Sequence, residues 1–149
     1  IAFISFIVGV SGYALFSPQF KAPASTNTDE HAGHMMDHKS IQVDADKPLP
    51  TVSILAHKDS MSGFNIHVTT EHYTFTPEKA GEASIQGEGH AHVYVNGIKV
   101  MRLYGPWAHI PGDAFKDGEN TIQVTLNGND HSDWVIGDKH IEATTVVTK

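Results

Sequence analysis

The stretch from Gly89 to Pro111, GHAHVYVNGIKVMRLYGPWAHIP, decides the fold because it has the pattern of a complete β-hairpin. Apolar side chains alternate along both arms, and Asn96-Gly97 lies between them. This dipeptide favours a two-residue type I′ turn, in which both central residues have positive φ. A two-residue turn fixes the register of the two arms, so Val95 is predicted to face Ile98 and the pairing continues outward from there.

In this register the two faces of the hairpin differ in chemistry. One face is predicted to hold a core set interrupted only by Arg102, namely Ala91, Val93, Val95, Ile98, Val100 and Tyr104. The other face is predicted to hold His90, His92, Tyr94, Lys99, Met101 and Leu103, with His92 directly opposite Met101. Two imidazoles and a thioether within reach of one point favour copper, because the soft thioether favours Cu(I). Zinc is the second choice.

Three further histidines are candidate ligands of the same ion. His109 follows the turn Gly105-Pro106-Trp107 and could return over the end of the hairpin. His67 alternates with apolar neighbours and is predicted on an outer face, and His131 lies in a turn-forming loop. The alternative is that all these are ordinary surface histidines, which bond to neighbours or to water.

From Thr51 onward, short β-rich runs recur with a period of two between turn residues. Seven or eight strands in about a hundred residues predict an all-β, immunoglobulin-like antiparallel β-sandwich over residues 51–149. The predicted strands are Thr51 to Ala56, Phe64 to Thr70, Tyr73 to Thr76, Ala83 to Ile85, His90 to Val95, Ile98 to Tyr104, Thr121 to Leu126 and Ile141 to Thr148.

The residues before this domain divide into two segments. Residues 1–20 contain no charged side chain and are just long enough to cross a bilayer as a helix. They are either a secretory signal peptide or a retained transmembrane anchor, and we favour the anchor. Residues 21–50 are rich in Pro, Ala, Ser, Thr and Asp and predict a flexible linker. A second, looser copper site is predicted within it from His31, His34, Met35, Met36 and His38. The alternative is a solvated tether that is rich in histidine and binds no metal.

The amino-acid composition excludes several kinds of partner and of metal site. Eleven histidines outnumber the ten lysines and arginines, and the formal charge of −7 argues against nucleic acid as a partner. The chain has no cysteine, which excludes disulfides and Cys-type zinc sites. It also excludes a blue-copper site, because that site needs a thiolate.

The segments Gly89 to Pro111 and Thr125 to His131 resemble a family of exported bacterial β-sandwich proteins with the motifs GHAHxYVNGxKxxRxYGPWxHIP and TLNxNDH. The resemblance implies a periplasmic or extracellular location. It also implies that His90, His92, His109 and His131 belong to one functional cluster. The tract HMMDH is similar in composition to the His/Met segments of periplasmic copper-handling proteins.

Together these patterns favour a copper-binding protein that buffers or delivers the ion. We expect it to be anchored in the inner membrane by its first helix, with the soluble domain in the periplasm or outside the cell. The expected partner is a larger membrane complex such as an oxidase or a copper monooxygenase. The alternative is a non-catalytic accessory subunit that binds no metal. An enzyme with an open metal position ranks lowest, because no nucleophile or general base groups with the histidines.

Overall fold

The computed structural model describes residues 39–149, which form an all-β fold of two sheets. Within that range no helix is long and apolar enough to cross a membrane. The predicted anchor, and all five ligand candidates of the linker, lie outside the described residues. The strands are β1 (Ser40–Gln42), β2 (Thr51–Lys58), β3 (Phe64–Glu71), β4 (Thr74–Phe75), β5 (Glu88–Val95), β6 (Ile98–Leu103), β7 (Trp107–Ile110), β8 (Glu119–Asn127), β9 (Asp133–Ile136), β10 (Lys139–His140) and β11 (Glu142–Thr148).

The larger sheet is built around β5 and β8. Strand β5 pairs with β6 and β8, and β8 pairs in addition with β11, all antiparallel. Strands β1, β9 and β10 continue the sheet beyond the end of β8, and β4 runs parallel to the start of β5. The smaller sheet has the order β2-β3-β7. The centre of the larger sheet is therefore the pair of strands that carries the GHAH and TLN motifs.

The inner faces of the two sheets share one hydrophobic core. Alternate residues of each strand point into it, as the period of two predicts. The buried contributions come from Phe64, Ile66 and Val68 of β3, Ala91, Val93 and Val95 of β5, and Ile122, Val124 and Leu126 of β8. Because both central strands are fully packed on this side, their opposite faces are held in a fixed position.

The predicted hairpin is confirmed at its turn and wrong beyond it. Asn96 and Gly97 have φ of 50° and 80°, as a type I′ turn requires, and Tyr94 pairs with Lys99. The next pair is Val93 with Met101, so Val100 is the extra residue of a β-bulge. A bulge adds one residue to one strand and reverses the faces of every residue beyond it. The residues that follow Val100 in β6 therefore point to the faces opposite to those predicted.

Several element assignments also differ from the prediction. Residues 83–85 form no strand, whereas β7 follows directly after the Gly-Pro turn and pairs with β3. The predicted linker contains β1, which pairs in parallel with β9 through Ile41 opposite Trp134. Ile41 and Val43 pack against the core, and their alternate spacing is the signal that the short strand left in the sequence.

Candidate metal centre

Strand β5 places His90 and His92 on the same face of the larger sheet, away from the hydrophobic core. Both side chains are nevertheless 0 % exposed. Their direct neighbours on β8 are Asn127 and Thr125, and the neighbour of His92 on β6 is Arg102. The ring of Tyr104 lies over His90 at a centroid distance of 5.3 Å. The two imidazoles are thus enclosed by side chains from both adjacent strands.

A third imidazole completes the cluster. His90 Nε2 lies 3.0 Å from His92 Nε2 and 3.0 Å from His131 Nδ1. Among residues 39–149 these three histidines form the one group of three or more His, Asp or Glu side chains whose potential ligand atoms all lie within 4.8 Å of one another. We call them the trihistidine cluster. His131 is half-buried, so the cluster meets solvent on the side of this residue.

The spacing of the nitrogens suits a bound ion. Metal–imidazole bonds of about 2.0–2.1 Å in a tetrahedral arrangement separate two ligand nitrogens by about 3.3 Å. Two of the three separations are 3.0 Å, a few tenths of an ångström shorter, and the third is within 4.8 Å. Rotations of the rings would bring the three nitrogens around one ion, which would leave a fourth position for a further ligand.

His131 is held in place by a tightly bonded loop. Its φ of 68° is a left-handed conformation that non-glycine residues seldom adopt, and its N–H donates to the carbonyl of Gly128 over 3.0 Å. The hydroxyl of Thr76 donates to Asn129 Oδ1 over 3.1 Å, and the carboxylate of Asp130 accepts from Ser84. These bonds fix the three residues that precede His131 and so restrict where its imidazole can lie.

The position of His90 depends on a close approach of β5 to β8. A Cβ on Gly89 would lie 2.0 Å from the carbonyl oxygen of Asn127, so only glycine fits there. The hydroxyl of Tyr73 lies 2.7 Å from the carbonyl oxygens of both His90 and Asn127. Burial raises the pKa of Tyr73, so the hydroxyl keeps the proton that it shares between them. Glycine and tyrosine together determine where the first imidazole lies.

A chain of hydrogen bonds supports the face next to the cluster. Thr125 Oγ1 donates to Asn127 Oδ1 over 3.0 Å, and Asn127 Nδ2 donates to Asp133. Asp133 Oδ2 in turn lies 3.5 Å from His140 Nδ1. Burial raises the pKa of Tyr94, and the charge of Asp133 adds to this effect. The only carboxylate in this chain of bonds is thus engaged with Asn127 and His140.

Lys99 brings a positive charge to the cluster. Its Nζ lies 3.1 Å from His92 Nε2. Burial lowers the pKa of Lys99, the nearby charge of Arg102 lowers it further, and the charge of Asp133 opposes both. The sequence placed Lys99 on the histidine face, but it contained no indication that the ammonium reaches a ligand nitrogen.

The prediction that Met101 faces His92 is wrong. Because of the bulge at Val100, Met101 pairs with Val93 and packs against the hydrophobic core, and Arg102 takes the place opposite His92. Leu103 and Tyr104 exchange faces for the same reason: Leu103 is buried in the core, and Tyr104 lies against His90. The thioether therefore does not lie opposite His92.

His109 and His67 lie on the smaller sheet, apart from the trihistidine cluster. On β7, the Nδ1 of His109 lies 2.9 Å from Asn65 Oδ1. On β3, the ring of His67 stacks against that of Trp107 at a centroid distance of 4.3 Å. The structure thus brings together three of the six histidine and methionine ligands predicted in the domain. His131, the one on the loop, could be placed with His90 only through the resemblance.

Comparison with protein-family models, with curated proteins and with solved structures gives no match for this chain. The assignment of the site therefore rests on its own geometry.

Proposed function

We propose that the folded domain binds a copper ion through His90, His92 and His131, and that it buffers or delivers this ion. The single observation that carries the proposal is the convergence of three imidazole nitrogens within 4.8 Å at a mostly buried point of the sheet. Burying three imidazoles against one another costs hydration that ordinary surface histidines keep. An ion that all three ligate offsets that cost.

The choice of copper now rests on charge rather than on sulfur. Three imidazoles suit zinc, copper, iron and nickel alike. No carboxylate belongs to the trihistidine cluster, and the ammonium of Lys99 lies 3.1 Å from one ligand nitrogen. A site of neutral ligands beside a positive charge favours an ion of low charge, and Cu(I) is the biological metal ion that meets this condition with imidazole ligands. Zinc remains the second choice.

Buffering or delivery fits the way in which the site meets solvent. His90 and His92 are fully buried, whereas His131 is half-buried on a loop. An ion can therefore enter and leave past one ligand while the other two stay fixed. We propose that the His/Met tract of residues 31–38 collects copper for this site, since flexible tracts of this composition bind loosely and exchange fast.

The setting that we propose comes from the sequence and the resemblance. Residues 1–20 would anchor the chain in the inner membrane and hold the domain in the periplasm or outside the cell. The recipient would be a larger membrane complex such as an oxidase or a copper monooxygenase. We propose that the two sheets form a sandwich of the immunoglobulin-like type.

Titration of the chain with Cu(I), Cu(II) and Zn(II) tests the proposal. To isolate the folded domain, the measurements use a chain in which His31, His34, Met35, Met36 and His38 are replaced by serine, here called the linker-substituted chain. His131→Asn is the informative variant because asparagine tolerates a left-handed φ and removes the imidazole without straining the loop. We expect one tightly bound ion, and a loss of affinity of at least a hundredfold in this variant.

His109→Ala is the matched control, since His109 is an exposed histidine of the smaller sheet. It should bind copper as the linker-substituted chain does. Equal affinities for the His131→Asn variant and its parent would refute the site. If the parent binds neither copper nor zinc, the proposed function is wrong as a whole.

One observation favours the alternative of an accessory subunit. On the outer face of the smaller sheet, Leu55, His67 and Trp107 lie opposite one another in one row across β2, β3 and β7. Leu55 is 61 % exposed and Trp107 57 % exposed, and large exposed apolar side chains of this kind often mark protein interfaces. Elemental analysis of the complex purified from native membranes separates the two functions: an intact complex without copper supports the accessory role.

A further inference from the structure

The bulge in β6 gives the trihistidine cluster a cationic edge. In a regular strand, residues three apart point to opposite faces. Because Val100 is an extra residue, Lys99 pairs with Tyr94 and Arg102 pairs with His92, both of which lie on the histidine face. Bulges commonly redirect side chains next to functional sites. In this strand the bulge removes a methionine from the face and leaves two positive charges there.

We propose that Lys99 sets the charge selectivity of the metal centre, so that it accepts a monovalent ion and discriminates against divalent ions. This inference rests on the proposed metal-binding function and names the kind of ion that the same site takes.

Lys99 is placed to act in two ways. Its Nζ lies 3.1 Å from His92 Nε2, within hydrogen-bonding distance of a nitrogen that we propose as a metal ligand. An ion that binds through this nitrogen must displace the ammonium from it. The four-carbon stem of lysine is flexible enough for the ammonium to withdraw. The stem is half-buried beside the cluster, so the charge stays near the ion after displacement. Arg102 is exposed and its charge is screened by water, so Lys99 contributes the larger effect.

The size of the effect follows from Coulomb's law. At a separation of about 5 Å and an effective dielectric constant of about 20, the repulsion from one ammonium corresponds to roughly two powers of ten in the affinity for a monovalent ion. For a divalent ion the repulsive energy is twice as large, so the number of powers of ten lost in affinity also doubles. Movement of the lysine reduces both values. We therefore expect removal of the charge to raise the affinity about tenfold for a monovalent ion and about a hundredfold for a divalent one.

The test compares Ag(I) with Zn(II) in the linker-substituted chain, by competition with chelators of known affinity. Ag(I) is a monovalent ion that does not change its oxidation state during the measurement. Lys99→Gln removes the charge and keeps a hydrogen-bond donor of similar length, and Lys99→Ala is a second uncharged variant. Lys99→Arg retains the charge, and Lys58→Gln removes an exposed positive charge from the smaller sheet.

Each ion is compared between a variant and its parent, so the intrinsic preference of imidazole for either metal cancels. We expect the preference for Ag(I) over Zn(II) to fall about tenfold in both uncharged variants, and to stay within about threefold of the parent in the other two. An unchanged preference in Lys99→Gln and Lys99→Ala would overturn the role of Lys99 and leave the metal site in place. If the parent binds neither ion, the failure lies with the proposed function itself.

Discussion

Replacing Gly89 with alanine tests how the fold positions the first imidazole. The added Cβ would lie 2.0 Å from the carbonyl oxygen of Asn127 and 2.7 Å from the hydroxyl of Tyr73. The first contact is with backbone, so β5 and β8 must separate where His90 pairs with Asn127. We expect overpacking to lower the free energy of unfolding by about 1–3 kcal/mol. The φ of 148°, which suits glycine alone, should lower it by about 1–3 kcal/mol more.

Gly97→Ala is the matched control for this substitution. Gly97 also has positive φ, at 80°, but nothing lies within 4 Å of the Cβ that would be added. Only the backbone strain of about 1–2 kcal/mol should appear there. Urea denaturation of both variants measures the difference. The midpoint of Gly89→Ala should lie about 1 M below that of Gly97→Ala, given a slope of about 2 kcal/mol per molar urea.

The two variants should differ in copper affinity as well. Gly89→Ala moves the strand that carries His90, so its affinity should fall at least tenfold, whereas the turn variant should bind as the parent does. Equal denaturation midpoints for the two variants would mean that the contact between Gly89 and the Asn127 carbonyl imposes no constraint on the position of β5.

Three further outcomes are expected. Tyr73→Phe removes the hydroxyl shared by two backbone carbonyls and should lower the free energy of unfolding by about 1–3 kcal/mol, measured by urea denaturation. Thr76→Val removes the buried bond to Asn129 and loosens the loop that carries His131, so copper affinity should fall about tenfold or more and the free energy of unfolding should fall by about 1–3 kcal/mol; exposed Thr74→Val should change neither. Copper affinity should decrease as the pH is lowered through roughly 7 to 5, because protons compete with the ion for each imidazole, and a flat titration across that range would argue against imidazole ligands.

Local pattern was sufficient to predict the class of fold and the turn of the hairpin. Asn96-Gly97 specifies a type I′ turn by its own backbone preference, and alternation identified the inner face of β5. The short strands β1, β7 and β9 were missed because alternation over three or four residues is too brief to distinguish a strand from a loop, and each is stabilised by pairing with a distant strand.

The sequence prediction of the hairpin failed beyond Lys99 because it did not include the bulge at Val100. One anomaly pointed to it: the regular register placed Arg102 in the middle of an apolar face, where an unpaired charge would be costly. A bulge removes that conflict by sending Leu103 inward and Arg102 outward. Because of the same shift, Met101 leaves the histidine face and Arg102 lies opposite His92. The choice of copper therefore depends on the positive charge beside the cluster and no longer on a thioether.

The cluster itself could be predicted only in part. The spacing of His90 and His92 places both on one face of a strand by local geometry alone. His131 is 39 residues beyond His92, and its approach depends on the left-handed turn and on the bonds from Thr76 and Ser84. Long-range contacts of this kind leave no period in a sequence.

X-ray absorption at the copper edge of the copper-loaded, linker-substituted chain tests whether three histidines bind the ion, because it counts the ligand atoms. We expect three imidazole nitrogens at about 2.0 Å and no sulfur, and two imidazoles in the His131→Asn variant. A sulfur ligand at about 2.3 Å, or a spectrum that His131→Asn leaves unchanged, would contradict this expectation.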